Sequence, residues 1–132
     1  MRVLALDYGT ARCGCAISDP TGTLATPLEA VEPPDVARIA KLAADHDAER
    51  VVVGLPISLS GKEGEQARLT RAFAERLGDL LKVPVETYDE RMTTRLAARS
   101  AREGARADED SLAAAHLLES WLTAHPEGRD DA

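Results

Sequence analysis

Val3-Leu4-Ala5-Leu6-Asp7-Tyr8-Gly9-Thr10 is the stretch on which the fold turns. Four consecutive apolar residues predict a central strand buried on both faces, because a strand with one wet face would alternate. Asp7 cuts the run off, and Gly9 sits in the short loop that follows. Cys13 to Ser18 forms a second run, closed by Asp19-Pro20-Thr21-Gly22. That tetrad is a type I turn signal, with Pro second and Gly fourth. Thr23 to Val31 alternates weakly and carries Pro27, which suits an edge strand because proline has no N–H to give a sheet. Three strands joined by short loops predict an antiparallel meander.

Beyond the meander the pattern changes. Pro33-Pro34 opens a helix with Val36, Ile39, Ala40 and Ala43 on its apolar side. Arg50 leads into Val51-Val52-Val53, a buried strand ended by Gly54-Leu55-Pro56. A polar loop and an amphipathic helix through Leu69, Phe73, Leu77 and Leu80 come next. Val83 to Tyr88 reads as a fifth strand, ending at Asp89-Glu90, and helices are expected over Thr93–Glu103 and Ser111–Thr123. Crossovers through helices impose parallel pairing on the last two strands. The expectation is one α/β domain over residues 1–124: a mixed five-stranded sheet, three antiparallel strands then two parallel, flanked by helices. Residues 125–132 are acidic, lack apolar periodicity and read as a flexible tail.

Composition narrows the function. The 132 residues hold only four aromatics, Tyr8, Phe73, Tyr88 and Trp121, too few for a base-stacking platform. Cys13 and Cys15 share one face of a strand, and no second pair completes a zinc site, so they read as buried thiols in a reducing cytosol. No signal peptide and no apolar run of membrane-spanning length is present, which predicts a cytoplasmic protein. The net charge of −7 argues against nucleic-acid binding only if charge is evenly spread. It is not: residues 91–106 carry five arginines and a single acid, Glu103, while the rest of the chain sums to −11.

Acidic residues mark the chemistry. A carboxylate at the end of a buried strand must be hydrogen-bonded, paired or bound to metal. Asp7 therefore has two readings, a cap for the turn through Tyr8-Gly9-Thr10 or a ligand. Asp89 and Glu90 also end a strand; an isolated pair would read as a solvated strand end, but they lie at the carboxyl edge where ligands gather in sheets of this kind. Asp110 precedes the stripe Ala113, Ala114, Leu117, Leu118 and Trp121 at helical offsets, so it has two readings: a cap of that helix, or, favoured by its alignment with the stripe, a carboxylate on the core-facing side. Asp108 and Glu109 beside it are explained as helix caps. Three converging carboxylates repel one another without a cation, and oxygen donors of this hardness select Mg²⁺ or Mn²⁺. His46 and His125 fall near helix ends and His116 lies off the stripe, so no histidine is expected as a ligand.

These residues fall into four ordered blocks: Leu4 to Asp19, Val52-Val53-Gly54-Leu55-Pro56 with Gly61 and Phe73, Asp89-Glu90-Arg91-Met92-Thr93-Thr94, and Asp110 with Ala113-Ala114 and Leu118-Glu119-Ser120-Trp121. So arranged, the chain resembles the YqgF family, the RuvC-related branch of RNase H-like nucleases linked to pre-16S rRNA processing and Holliday junction resolution. The resemblance implies an RNase H-like fold and metal-dependent phosphodiester cleavage by acids at the positions of Asp7, Glu90 and Asp110. The role of Asp89 stays open beside Glu90. The family usually carries Lys before the Arg of the first block; here that position is Ala11, which leaves Arg12 to contact phosphate.

Arg91, Arg95, Arg99, Arg102 and Arg106 would form one stripe on a continuous helix, either a solvated face or, favoured because a solvated face usually mixes signs, a phosphate-tracking surface. Gly54 to Lys62 has six residues between its glycines, not the four of a Walker loop, and Glu63 follows Lys62. Two readings remain for that loop: a plain connection, or a substrate-lining one with Ser58, Ser60 and Lys62 at the phosphate. Asp7-Tyr8-Gly9-Thr10 also resembles the phosphate motif of actin-like ATPases, but those enclose ATP between two domains and this chain has the length of one. The sequence thus favours an endonuclease on structured RNA or branched DNA, against a non-catalytic RNA-binding or transcription-associated module. Junction resolution would call for a homodimer, since two opposed strands must be cut.

Overall fold

The computed structural model describes residues 1–58, 60–92 and 109–126. Strands β1 (Val3–Tyr8), β2 (Cys13–Ser18) and β3 (Ala25–Val31) form the meander. Helix α1 (Val36–Asp45), strand β4 (Arg50–Leu55), helix α2 (Glu65–Leu80) and strand β5 (Val85–Asp89) follow. A 3₁₀ turn at Glu90–Met92 ends the middle segment, and helix α3 spans Glu109–Ala124. The sheet order is β3-β2-β1-β4-β5, with β1 antiparallel to β2 and parallel to β4, and β5 parallel to β4. This is the expected mixed sheet, with β1 at its centre and Pro27 in the edge strand β3.

Strand parity divides the core into two layers. Leu4, Leu6, Cys13, Cys15, Ile17, Val51 and Val53 pack with Ile39 and Ala43 of α1 and Phe73 and Leu77 of α2. Val3, Ala5, Ala16 and Val52 pack with Ala114, Leu117, Leu118 and Trp121 of α3. Val3 to Leu6 are all fully buried, so the continuous apolar run reflects helices on both faces. Asp7 takes the next odd position, on the α3 side.

Two boundaries differ from expectation. Pro33-Pro34 does not begin α1; Asp35 does, its carboxylate accepting the Ala37 N–H at 2.9 Å. A side-chain cap satisfies an N–H that proline would only lack. His125, assigned to the tail on sequence, stacks on Trp121 with ring centroids 4.3 Å apart, because α3 runs on to Ala124. The turn at Asp19 is as expected: Gly22 N–H donates to the Asp19 carbonyl at 2.9 Å, with Gly22 at φ 72°.

Both cysteines are free and buried on the same face. The Cys15 sulfur beside it, together with burial, pushes the Cys13 thiol well above its ordinary range, which keeps it unreactive. Among the described residues no helix is long and apolar enough to cross a membrane. The helix expected over Thr93–Glu103 lies outside the described residues, with Arg95, Arg99, Arg102 and Arg106.

Candidate active site

Parallel pairing brings the carboxyl ends of β1, β4 and β5 to one edge of the sheet. Asp7 ends the first of these, and Glu90 follows the last. The β5 residues alternate. Glu86 accepts the Trp121 indole N–H at 3.3 Å and the Tyr88 hydroxyl meets Ser120 Oγ at 3.0 Å, so even-numbered residues face α3. Glu90 continues that parity toward Asp7. Asp89 falls on the opposite parity, where Arg91 holds it: the Arg91 N–H donates to Oδ1 at 2.9 Å and Nη2 to Oδ2 at 2.6 Å. That guanidinium keeps the Asp89 carboxyl below its ordinary range. Of the two adjacent acids, Glu90 alone joins Asp7.

Two glycines make the space. A Cβ on Gly54 would lie 2.8 Å from Glu90 Oε1 and 3.1 Å from Leu117 Cδ2, so the missing side chain is where the Glu90 carboxylate sits. A Cβ on Gly14, the cross-strand partner of Asp7, would lie 2.1 Å from the Asp110 carbonyl oxygen. The first turn of α3 thus rests directly on β2. Ser111, fully buried, locks it there by accepting the Cys15 N–H on Oγ at 3.2 Å. None of these three residues carries charge, which is why a search for acids and bases passes over them. The signal of the two glycines is their place inside a strand, which marks close approach of another segment.

Asp7 is partly buried, and its carboxyl is pushed up to about 8. Desolvation is the largest cause, followed by the charge of Glu90, a hydrogen bond to Glu90 and the charge of Asp110. Asp7 therefore holds a proton against Glu90 at neutral pH. Asp110 neutralises its charge differently: its Oδ2 accepts Arg12 Nε at 2.6 Å. The expected convergence of three acids is thus met by Asp7 and Glu90, with the Asp110 side chain turned to Arg12. Among the described residues no three acidic, histidine or cysteine side chains form a ready-made metal cage.

The donor set still suits a hard divalent cation. It contains only carboxylate oxygens, both thiols point to the opposite face, and the Glu90 carboxylate is hydrogen-bonded to Asp7. Asp110 lies close enough for its charge to act on Asp7.

The remaining candidates border this edge. A Cβ on Gly61 would lie 3.9 Å from Arg91 Nη1, which places the tip of the β4–α2 loop beside Arg91. Within that loop Ser58 and Ser60 hydroxyls meet at 2.8 Å, and Ser58 Oγ accepts the Lys62 N–H at 3.2 Å. The two hydroxyls are engaged in closing the loop, whereas the Lys62 side chain is exposed. Cavities of about 640 Å³ between α1 and α2 and about 680 Å³ between α2 and β5 contain none of the three acids.

Comparisons with known proteins agree with this architecture. The profile described as "RuvX: Holliday junction resolvase" matches residues 1–124. A protein of Rhodococcus erythropolis strain PR4 named "Putative pre-16S rRNA nuclease" is 41% identical over 136 positions, covering 92% of this chain and 77% of its own. One of the same name from Anaeromyxobacter dehalogenans strain 2CP-1 is 44% identical over 133 positions, covering 92% and 96%. Among solved structures, Thermus thermophilus RuvC in complex with a Holliday junction substrate superposes with a TM-score of 0.66 at 16% identity, over 98% of each chain. The fowlpox virus resolvase bound to Holliday junction DNA gives 0.58 at 12%, over 94% of this chain and 98% of that one. At such identities the likeness is one of fold, the RNase H-like sheet of RuvC. The sequence relatives carry the assignment further: the chain belongs to the RuvX family, the family its four sequence blocks resemble under the name YqgF.

Proposed function

We propose that this protein is a metal-dependent endonuclease that hydrolyses phosphodiester bonds in structured nucleic acid, and that its reaction is the processing of the 5′ end of pre-16S rRNA. The carrying observation is the pressing of Asp7 against Glu90, with the charge of Asp110 acting on Asp7 as well, at the carboxyl edge of a buried sheet. Carboxyl groups gathered this closely can all ionise together only when a cation joins them. Asp7, Glu90 and Asp110 would hold Mg²⁺ or Mn²⁺; Asp89, committed to Arg91, would not. When bound, the ion supplies Lewis-acid activation of water and neutralises charge on the scissile phosphate.

The protein's own residues do the rest. Gly54 and Gly14 let Glu90 and the first turn of α3 approach the sheet, and Ser111 holds that turn in register. Arg12 binds the phosphate next to the site, and Arg91 with Lys62 borders the path that the backbone would follow. The arginines at 95, 99, 102 and 106 extend that path by their spacing in the sequence. Cytoplasmic residence fits an rRNA substrate.

Resolution of Holliday junctions is the second reading, favoured by the description of the matching family. It would call for a two-fold dimer that presents two sites to opposed strands. The deciding experiment incubates purified protein and its Asp7→Asn variant with a pre-16S rRNA 5′-leader mimic and with a four-way DNA junction, in Mn²⁺, Mg²⁺ or EDTA. Metal-dependent cleavage of the RNA, lost in the variant, is expected. Cleavage unaffected by EDTA and by the substitution overturns the reading, and binding without cleavage assigns the chain a non-catalytic role.

A further inference from the structure

The proposed metal site needs the Asp110 carboxylate beside Asp7 and Glu90, yet that carboxylate is held by Arg12. We propose that Arg12 is a gate: it keeps Asp110 out of the acidic set until a nucleic-acid phosphate takes the guanidinium, so that substrate and metal bind cooperatively. This inference rests on the metal-dependent reading above and adds its regulation.

The backbone confines the motion to side chains. The Asp110 carbonyl lies where a Gly14 Cβ would be, and Ser111 Oγ is hydrogen-bonded to the Cys15 N–H, so the first turn of α3 has no freedom to shift toward Asp7. Rotation of the Asp110 side chain is what remains. Arg12 sits on the loop joining β1 to β2, whose ends are tied by Gly9 N–H donating to the Arg12 carbonyl at 2.9 Å. Its main chain is thus anchored, while its side chain is 46% exposed and that of Asp110 37% exposed. An ion pair this open is weak and exchanges partners readily. A phosphate presents two oxygens to the guanidinium fork and competes well with one carboxylate oxygen.

Charge is balanced in both arrangements. With the gate closed, Arg12 neutralises Asp110. With it open, phosphate neutralises Arg12 and a divalent cation takes the three acids. In each arrangement the Arg12 charge and the Asp110 charge both have a partner, so neither is left uncompensated. By linkage, metal must tighten nucleic-acid binding by the factor with which nucleic acid tightens metal binding.

The test is a double-mutant cycle read by calorimetric titration of Mn²⁺ into wild type, Arg12→Gln, Asp110→Asn and the double variant, without nucleic acid. Circular dichroism checks that each is folded. Arg12→Gln should bind Mn²⁺ about three- to five-fold tighter than wild type, the amount by which an exposed ion pair competes. That gain should vanish in the Asp110→Asn background. In a second arm, binding of a uniformly phosphorothioate RNA hairpin is followed by fluorescence anisotropy with and without Mn²⁺. The factor by which Mn²⁺ tightens it should be smaller in Arg12→Gln than in wild type. Equal Mn²⁺ affinities overturn the gate and leave the metal site standing. A gain that persists without Asp110 also overturns it, because the effect is then simple repulsion between Arg12 and the cation. Failure of all four proteins to bind Mn²⁺, with or without the RNA, overturns the metal reading itself.

Discussion

At the residue scale, Asp7 is where function is set against stability. Its carboxyl stands at about 8 in the folded chain against 3.8 as the ordinary value. Between those values the folded state keeps a proton that the unfolded state releases. Stability is therefore fully present below the unfolded value and is lost as pH rises through the folded one. In EDTA, Asp7→Asn should be more stable than wild type at pH 8, by on the order of 2 kcal/mol after discounting for partial exposure. The gap should close near pH 4, where Asp7 is largely neutral in the folded state and half so in the unfolded one; urea denaturation at the two pH values measures it. A gap of equal size at both would show that Asp7 does not carry the proton. The neighbouring acids separate just as sharply. Glu90→Gln is expected to lower kcat by about 10²-fold or more, the scale of losing one charge-stabilising group. Asp89→Asn, which gives up only its pairing with Arg91, should stay within a few-fold of wild type in the same cleavage assay.

Strands and helices cooperate here through what two glycines omit. Gly14→Ala puts a methyl 2.1 Å from the Asp110 carbonyl, a main-chain atom of a packed helix, so β2 or α3 must move. Overpacking of that kind costs about 1–3 kcal/mol, and it displaces Asp110 as well. Gly54→Ala meets Glu90 Oε1 at 2.8 Å, the end of a side chain that can turn away. Its stability loss should be near the lower end of such overpacking, about 1 kcal/mol, since the buried Leu117 Cδ2 at 3.1 Å must also give, while cleavage falls because Glu90 has left its place. Urea midpoints and kcat measured together will separate the two. If both variants lose stability equally, Glu90 is more rigidly held than its position past the end of β5 suggests. The element scale also explains how a short chain carries a dense acidic edge. Desolvated carboxylates are costly, and α3 offsets that cost from the other end, where Trp121, Glu86, Arg50 and His125 clamp it to the sheet.

Taken whole, the molecule is acidic and yet assigned to an anionic polymer. Net charge governs long-range approach, whereas binding is decided by the groups within a Debye length, about 10 Å at 0.1 M salt. On the reading proposed above, the five arginines between residues 91 and 106 would supply that local field. Replacing Arg95, Arg99, Arg102 and Arg106 by Gln is expected to weaken nucleic-acid binding at every sequence tested. It should also lower the magnitude of the slope of log K against log salt by roughly three, at about 0.7–0.9 for each phosphate that is no longer neutralised. Anisotropy titrations between 50 and 200 mM salt, roughly the range over which counterion release dominates, give that slope. An unchanged slope would remove the basic segment from the interface.

How much of this was legible in the chain follows from the range of the forces involved. Apolar periodicity, turn residues and the handedness of crossovers are local or generic, and Val3–Leu6, the turn at Asp19 and the order of elements already dictate the sheet. A strand-ending acid is legible too, since burial makes such a group expensive, and Asp7 needed no structure to be singled out. What sequence alone left undecided depends on register and on distant partners. Asp89 and Glu90 are indistinguishable until the parity of β5 against α3 is known, because a shift of one residue exchanges their faces. The space made by Gly14 and Gly54 exists only once α3 and Glu90 arrive to fill it. The Arg12–Asp110 pair joins residues 98 apart in the chain, a pairing that no local pattern encodes and that only the packed tertiary structure creates.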